Sequence, residues 1–93
     1  MKIRPHETEI RGSWTRSGRE VVADDACRRI DQLASSHLEE VGHDATGWDT
    51  LYRDPTDGRY WELIYPQSNQ HGGGPPLLRQ VGPDELRSKY GVS

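Results

Sequence analysis

The stretch from Trp48 to Pro76 constrains the fold of this chain more than any other. It contains two of the three tryptophans, three of the four tyrosines and four of the six prolines. At its centre, two strand-like runs flank the sequence DPTDG at residues 54–58. Proline fixes φ, aspartate side chains accept hydrogen bonds from their own backbone, and glycine tolerates a positive φ. The stretch therefore predicts a β-hairpin.

Alternating and apolar runs predict the strands. They are Thr8–Trp14, Arg19–Ala23, Trp48–Arg53, Arg59–Tyr65 and Leu77–Val81. Within Arg59–Tyr65, Trp61 and Leu63 fall on one face, and Tyr60 and Ile64 on the other. Because both faces carry bulky apolar groups, we expect this strand to be central, with one face under a helix.

A helix is predicted over Asp24–Val41, because apolar residues recur at steps of three and four. Asp24 is a suitable N-cap, and Gly42 a natural end. Glu39 and Glu40 would lie in the last turn, where the helix dipole disfavours negative charge by about 0.3 to 1 kcal/mol. They therefore belong either to an ordinary solvated face or to a contact with a partner.

A second, short helix is predicted over Pro83–Tyr90, with Gly91 after it. The order of elements indicates an α+β domain. We expect an antiparallel sheet of about four to five strands, with one long helix packed on it and a short C-terminal helix. We expect residues 1–93 to form a single domain, with residues 1–7 as a loosely held arm.

Composition excludes several classes of function. Twelve basic and fifteen acidic residues give a net charge of −3, which argues against a nucleic-acid-binding surface. No segment approaches the roughly 20 apolar residues that a membrane span needs. The single Cys27 cannot form an internal disulfide. We expect a cytoplasmic protein, a monomer rather than an oligomer.

The run His71-Gly72-Gly73-Gly74 is the one stretch typical of a catalytic fragment, since some hydrolases use such glycines to bind an oxyanion. The companion Gly-x-Ser-x-Gly motif is missing, and Pro75 follows instead. A small hydrolase-like or ligand-binding domain using this loop therefore remains the alternative to a non-enzymatic protein. The four histidines are too scattered to predict a metal site, and no cofactor is expected.

Glu62 is a carboxylate within a strand of aromatic residues, so it needs a partner. Arg11 and Arg59 are the expected partners, each in or next to a strand. The pair would be either a structural ion pair or an anchor for a ligand.

Several short motifs follow one another over about residues 9–90. Their main residues are Arg11, Gly12 and Trp14, then Trp48 and Tyr52, then Asp57 and Gly58, then Trp61, Glu62 and Tyr65, and then His71, Gly72, Gly73, Gly74 and Pro75. Together they resemble the Immunity protein 27 family, small bacterial proteins encoded beside polymorphic toxins. We interpret the motif residues as parts of the scaffold.

The resemblance implies a protein that binds a cognate toxin domain made by the same cell and neutralises it by stoichiometric occlusion, as in contact-dependent inhibition. Many toxin domains are basic nucleases, so acidic groups are the best candidates for contacts. We expect the partner-binding residues to be Glu39, Glu40, Asp44 and Asp49.

Overall fold

The computed structural model describes residues 2–17, 20–66 and 74–92. Within these ranges there are seven strands and two α-helices. In chain order they are β1 (Glu9–Arg11), β2 (Trp14–Ser17), β3 (Glu20–Ala23), α1 (Asp25–Gln32), β4 (Glu39–His43), β5 (Thr50–Arg53), β6 (Tyr60–Ile64), β7 (Leu77–Val81) and α2 (Pro83–Tyr90). Five strands form an antiparallel sheet in the order β1-β7-β6-β5-β4, and β2 pairs with β3 in a separate ribbon. The predicted α+β class is confirmed.

The hairpin of β5 and β6 forms as its turn residues predict. The backbone N–H of Thr56 donates to Oδ1 of Asp54 at 2.8 Å, and that of Arg59 donates to Oδ1 of Asp57 at 3.0 Å. Gly58 has a φ of 78°, a value that side-chain-bearing residues rarely adopt. The hairpin places β6 at the centre of the sheet, as expected.

The first helix begins where it was predicted but ends earlier. Asp24 is the N-cap, and its side chain accepts from the backbone N–H of Cys27 at 2.9 Å. After α1 the chain makes one π-helical turn, Leu33–His37, and becomes extended at Leu38. The prediction of a helix to Val41 is therefore wrong, and so is the placing of Glu39 and Glu40 in its last turn. These residues belong to β4.

Serine side chains explain why the helix ends before Leu38. The hydroxyl of Ser36 donates to the backbone C=O of Gln32 at 2.6 Å, an acceptor that the next helical turn would use. Such side-chain bonds compete with the helical ladder. The backbone N–H of Leu38 instead closes the wider π turn on the C=O of Leu33 at 2.7 Å. Apolar periodicity continued through this point, so it overestimated the length of the helix.

The main core lies between α1 and one face of the sheet. Its buried members are Ile3, Ile10, Ile30, Leu33, Leu38, Tyr52, Trp61 and Leu78. The helix contributes Ile30 and the π turn contributes Leu33, both fully buried, against Trp61 of β6. Of the apolar residues that predicted the helix, Ile30, Leu33 and Leu38 belong to the core, whereas Ala23 at its start is exposed. Val41, another of these residues, is 45% exposed.

Gly12 lets the segment after β1 approach α1 closely. A Cβ atom at this position would lie 2.7 Å from Sγ of Cys27 and 2.9 Å from the backbone O of Pro76. The backbone N–H of Gly12 also donates to that same oxygen at 2.8 Å. A side chain would therefore force backbone apart. This close approach accounts for glycine in the Arg11–Trp14 motif.

Residues 2–7 are held more firmly than the expected loose arm. Ile3 is 7% exposed and belongs to the core. Glu7 accepts from both terminal nitrogens of Arg29 in α1, at 2.6 and 2.7 Å. Arg59 donates to the backbone O atoms of Arg4 and Glu7, at 3.1 and 2.7 Å. These contacts tie the segment to both the helix and the hairpin.

The ion pair of Glu7 and Arg29 predicts a loss of stability in acid. The hydrogen bonds from Arg29 lower the pKa of Glu7 from 4.5 to about 2. Because the folded-state pKa is depressed, the stabilisation is complete above pH 4.5 and is lost as the pH falls through 2. We expect the free energy of unfolding of the wild type to fall by about 1 to 2 kcal/mol more than that of Glu7→Gln over this range. Urea unfolding at several pH values measures the difference, and parallel pH profiles would contradict the prediction.

Candidate functional site

The strand β4 forms one edge of the sheet and carries the first two predicted contact residues. Glu39 and Glu40 are both exposed, and neither forms an ion pair or a side-chain hydrogen bond within the described ranges. Arg53 lies directly across the ladder from Glu39 without pairing with it. Two unpaired carboxylates therefore face solvent along a sheet edge.

Asp44 lies just beyond β4 and organises the turn to β5. Its Oδ1 accepts from the backbone N–H groups of Gly47 and Asp49, at 3.0 and 3.3 Å. The hydroxyl of Thr46 donates to both carboxylate oxygens, at 2.8 and 3.0 Å. The hydrogen bond from Thr46 is the main reason why the pKa of Asp44 is lowered. The carboxylate is therefore mainly engaged within its own turn.

Asp49 ends the same turn and is also engaged internally. Its Oδ2 lies 2.8 Å from Nζ of Lys89 in α2, and its side chain is 25% exposed. The four predicted contact residues thus lie along one hairpin, β4 to β5, rather than at a helix end. Glu39 and Glu40 are free there, whereas Asp44 and Asp49 hold the turn in place.

The same hairpin exposes two large apolar side chains. Val41 is 45% exposed, at a bulge where the β4–β5 register shifts between Glu40 and Gly42. Trp48, in the turn, is 78% exposed. We interpreted Trp48 as part of the scaffold, but this exposure leaves its ring little packing contact with the rest of the fold. We call the exposed strip of Glu39, Glu40, Val41 and Trp48 the hairpin ridge.

Glu62 is the centre of a buried polar cluster on the opposite side of the sheet from α1. Its carboxylate is 1% exposed and accepts from Nζ of Lys89 at 2.7 Å and from the hydroxyl of Tyr90 at 2.8 Å. Arg79 of β7, its cross-strand neighbour, also pairs with it. The predicted partners Arg11 and Arg59 are wrong. Arg59 instead lies over the ring of Trp61, with 4.8 Å to its centroid.

These contacts explain how α2 is attached. The helix has no buried residue, so it is held by polar contacts instead of an apolar stripe. Burial by itself would raise the pKa of Glu62, but hydrogen bonds from Lys89, Arg79 and Tyr90 outweigh it and lower the pKa. Burial and the hydrogen bond to Glu62 together raise the pKa of Tyr90 well above its usual range. Glu62 therefore stays ionised as a structural anchor.

The glycine loop of the alternative hypothesis lies partly outside the described residues. His71, Gly72 and Gly73 fall there, while Gly74 is described and has a φ of 76°. Next to it is a cleft of about 320 Å³, whose lining includes Arg11, Ser13, Trp14, Pro66 and Pro75. Arg11 is the one charged residue of that lining. The described part of the cleft thus offers the hydroxyl of Ser13 but no general base among its lining residues.

The remaining motif residues mostly support the scaffold. Tyr52 and Trp61 belong to the core, and Asp57 and Gly58 form the hairpin turn. Tyr65 is 42% exposed, and Trp14 is 37% exposed beside the cleft. No group of three possible metal ligands converges among the residues that the structure describes. No helix in these ranges is long and apolar enough to cross a membrane.

Sequence reasoning missed Val41, Arg79 and Lys89. Val41 fitted the helical stripe, so its place on a strand edge could not be read from periodicity. Arg79 and Lys89 lie 17 and 27 residues from Glu62, a separation for which a sequence pattern gives no signal.

The chain is thus a small α+β domain whose β4–β5 hairpin presents two unpaired carboxylates, Val41 and the most exposed tryptophan to solvent. The model of one family, Immunity protein 27, matches residues 16–82, which run from β2 through β7. The chain belongs to the Immunity protein 27 family, and its resemblance to that family is confirmed. Membership supports an immunity role with a toxin as the protein partner. Comparisons with curated proteins and with solved structures returned no match.

Proposed function

We propose that this protein binds one cognate toxin domain and neutralises it by stoichiometric occlusion, without turnover. Family membership supports the immunity role. We propose the β4 edge as the toxin-binding surface because Glu39 and Glu40 are exposed and unpaired there. Unpaired exposed charges on an edge strand contribute little to folding. They are available to attract a partner of opposite charge.

The proposed partner surface is basic, as the net charge of −3 also favours. Close charge pairs across an interface speed the encounter and fix the register of binding. Asp44 and Asp49 are part of the proposed contact surface, but their carboxylates already have internal partners. We therefore propose that they act mainly by shaping the turn and that Glu39 and Glu40 supply the attraction.

Co-expression with the toxin domain of the neighbouring gene tests the function. A toxic C-terminal domain should be tolerated only when this protein is present. The two chains should co-purify in a 1:1 complex whose toxin activity is abolished at one equivalent. Residual toxin activity at a large excess of this protein would reject occlusion, and restoration of activity after dissociation would reject chemical modification of the toxin.

Charge reversal at the edge tests the proposed surface. We expect the double variant Glu39→Lys, Glu40→Lys to associate with the toxin roughly tenfold more slowly at low ionic strength. The difference should shrink at high salt, because screening removes long-range attraction. Stopped-flow or surface-based kinetics at several salt concentrations measure it.

The control reverses two exposed carboxylates elsewhere, Asp31 in α1 and Glu9 on the opposite edge strand β1, where Glu9 forms an exposed ion pair with Arg11 at 3.4 Å. It changes the net charge by the same amount. If both double variants slow association equally, the effect is one of net charge and the edge is not the contact surface. Unchanged rates in both would reject the electrostatic contribution altogether.

A further inference from the structure

The exposure of Trp48 is the observation that the scaffold does not explain. The other exposed large apolar residues of the described chain, Trp14, Val41 and Tyr65, range from 37 to 45% exposed, whereas Trp48 is 78% exposed. An indole in that position has almost no packing contact to contribute to the fold. Tryptophan is also the residue most enriched at the energetic centres of protein interfaces.

The backbone that carries Trp48 is pre-organised. Gly47 has a φ of 78°, and its N–H is held by Asp44. The backbone N–H of Trp48 itself donates to Oγ1 of Thr46 at 3.2 Å. The turn closes with a bond from the backbone N–H of Asp44 to the O of Asp49 at 3.0 Å. A loop fixed before binding loses less conformational entropy in a complex.

The turn also has a firm base. Asp49 binds Lys89, and Lys89 binds the buried Glu62 at 2.7 Å. The polar cluster under α2 therefore extends to the turn. An exposed ring on such a support resembles a protrusion built to enter a partner, in contrast to a flexible surface loop.

The surroundings of Trp48 indicate the chemistry of the partner. Val41 is a second exposed apolar side chain of the same hairpin, and it directly follows the free carboxylates of Glu39 and Glu40 in β4. Five residues of strand span roughly 16 Å, enough for an apolar contact and a separate charged contact. The complementary surface is an apolar pocket with cationic groups beside it. Lysine and arginine side chains also stack favourably on indole rings.

We infer that Trp48 is the anchor of the interface, inserted from the pre-organised β4–β5 turn into an apolar pocket with a basic rim on the toxin domain. This inference rests on the proposed function and names the contact that fixes the complex. Glu39 and Glu40 govern mainly the association rate, whereas Trp48 governs the dissociation rate, because a buried ring must leave its pocket for the complex to separate.

The variant Trp48→Ala tests the anchor in the complex with the co-expressed toxin domain. We expect the Kd to rise by about 100-fold, mostly through faster dissociation. The thermal midpoint of the free variant should match the wild type, because the ring is exposed. Trp14→Ala is the matched control, an exposed tryptophan outside the hairpin ridge, and it should change the Kd less than about threefold.

Two further measurements separate the possible explanations. Asp44→Ala keeps the ring but loosens the turn, and it should weaken binding by roughly tenfold. The emission of Trp48 is obtained by subtracting the fluorescence spectrum of Trp48→Phe from that of the wild type. Its maximum should shift to shorter wavelength on binding, because the ring leaves water. A Trp48→Ala variant that binds within threefold of the wild type would overturn the inference alone. A wild-type protein that fails to bind the toxin would overturn both the inference and the proposed function.

Discussion

Replacement of Glu62 by glutamine is expected to destabilise the protein by about 3 kcal/mol. The carboxylate is 1% exposed and is shared by Arg79, Lys89 and Tyr90. An amide cannot balance the charges of Arg79 and Lys89, and its N–H group would face these donors. Because both cations are about a third exposed, they regain some hydration, which places the expected loss at the lower end for a broken buried pair.

The loss should appear as a fall of roughly 15 °C in the thermal midpoint of this small domain. Glu85→Gln is the matched control, since Glu85 also pairs with Arg79 but is 43% exposed. It should cost less than about 1 kcal/mol. At temperatures where Glu62→Gln remains folded, its affinity for the toxin should change little. A stable Glu62→Gln protein with lost affinity would instead show that Glu62 positions the β4–β5 turn through Lys89 and Asp49.

Replacement of Trp61 by alanine should be at least as severe, with a loss of about 3 to 5 kcal/mol. Trp61 has no exposed surface and lies at the centre of the core on β6. Its ring lies on the face of the sheet that α1 covers. The guanidinium carbon of Arg59 lies over the ring, 4.8 Å from its centroid. The variant would leave a large cavity. It would also remove the ring on which Arg59 rests, and Arg59 donates to the backbone O atoms of Arg4 and Glu7.

Trp61→Phe separates ring packing from the indole N–H. Within the described chain the Nε1 atom of Trp61 is buried without a hydrogen-bond partner, so its removal relieves an unsatisfied donor. We expect a loss of about 1 to 2 kcal/mol, from volume alone. Trp48→Ala is the surface control and should stay within about 0.5 kcal/mol of the wild type. Equal losses in Trp61→Ala and Trp48→Ala in denaturant unfolding would contradict the assigned burial.

Local chemistry predicted much of this fold. The residues 54–58 specify their turn by themselves, Asp24 caps α1 and Gly91 ends α2 with a φ of 68°. The prediction failed at the end of the first helix, where helical periodicity competes with side-chain hydrogen bonds and with strand pairing. The apolar stripe extended through Ser35 and Ser36, but the hydroxyl bonds of these serines and an open sheet edge favoured a strand from Glu39 onward.

The candidate site was predictable only in part, for a related reason. Acidic residues could be found in the sequence, but which of them keep a free carboxylate depends on residues far along the chain. Lys89 engages Asp49 across the fold, and Thr46 engages Asp44 locally. Exposure of Trp48 was likewise undecidable, because a tryptophan next to a strand fits a core as well as a surface.

The bulge at Val41 has a consequence for the protein before it meets any toxin. An open edge of a sheet invites a second copy of the same strand, and bulges and charges on that edge discourage such pairing. Here the register shift between Glu40 and Gly42 lies beside two carboxylates that would repel their counterparts in a second copy. The edge that we propose as the toxin-binding surface thus carries two features that disfavour pairing with a second copy. Replacing Glu39 and Glu40 by apolar residues would remove this repulsion. Any gain in apolar contact with the partner would then come with a greater tendency of the edge to pair with a second copy.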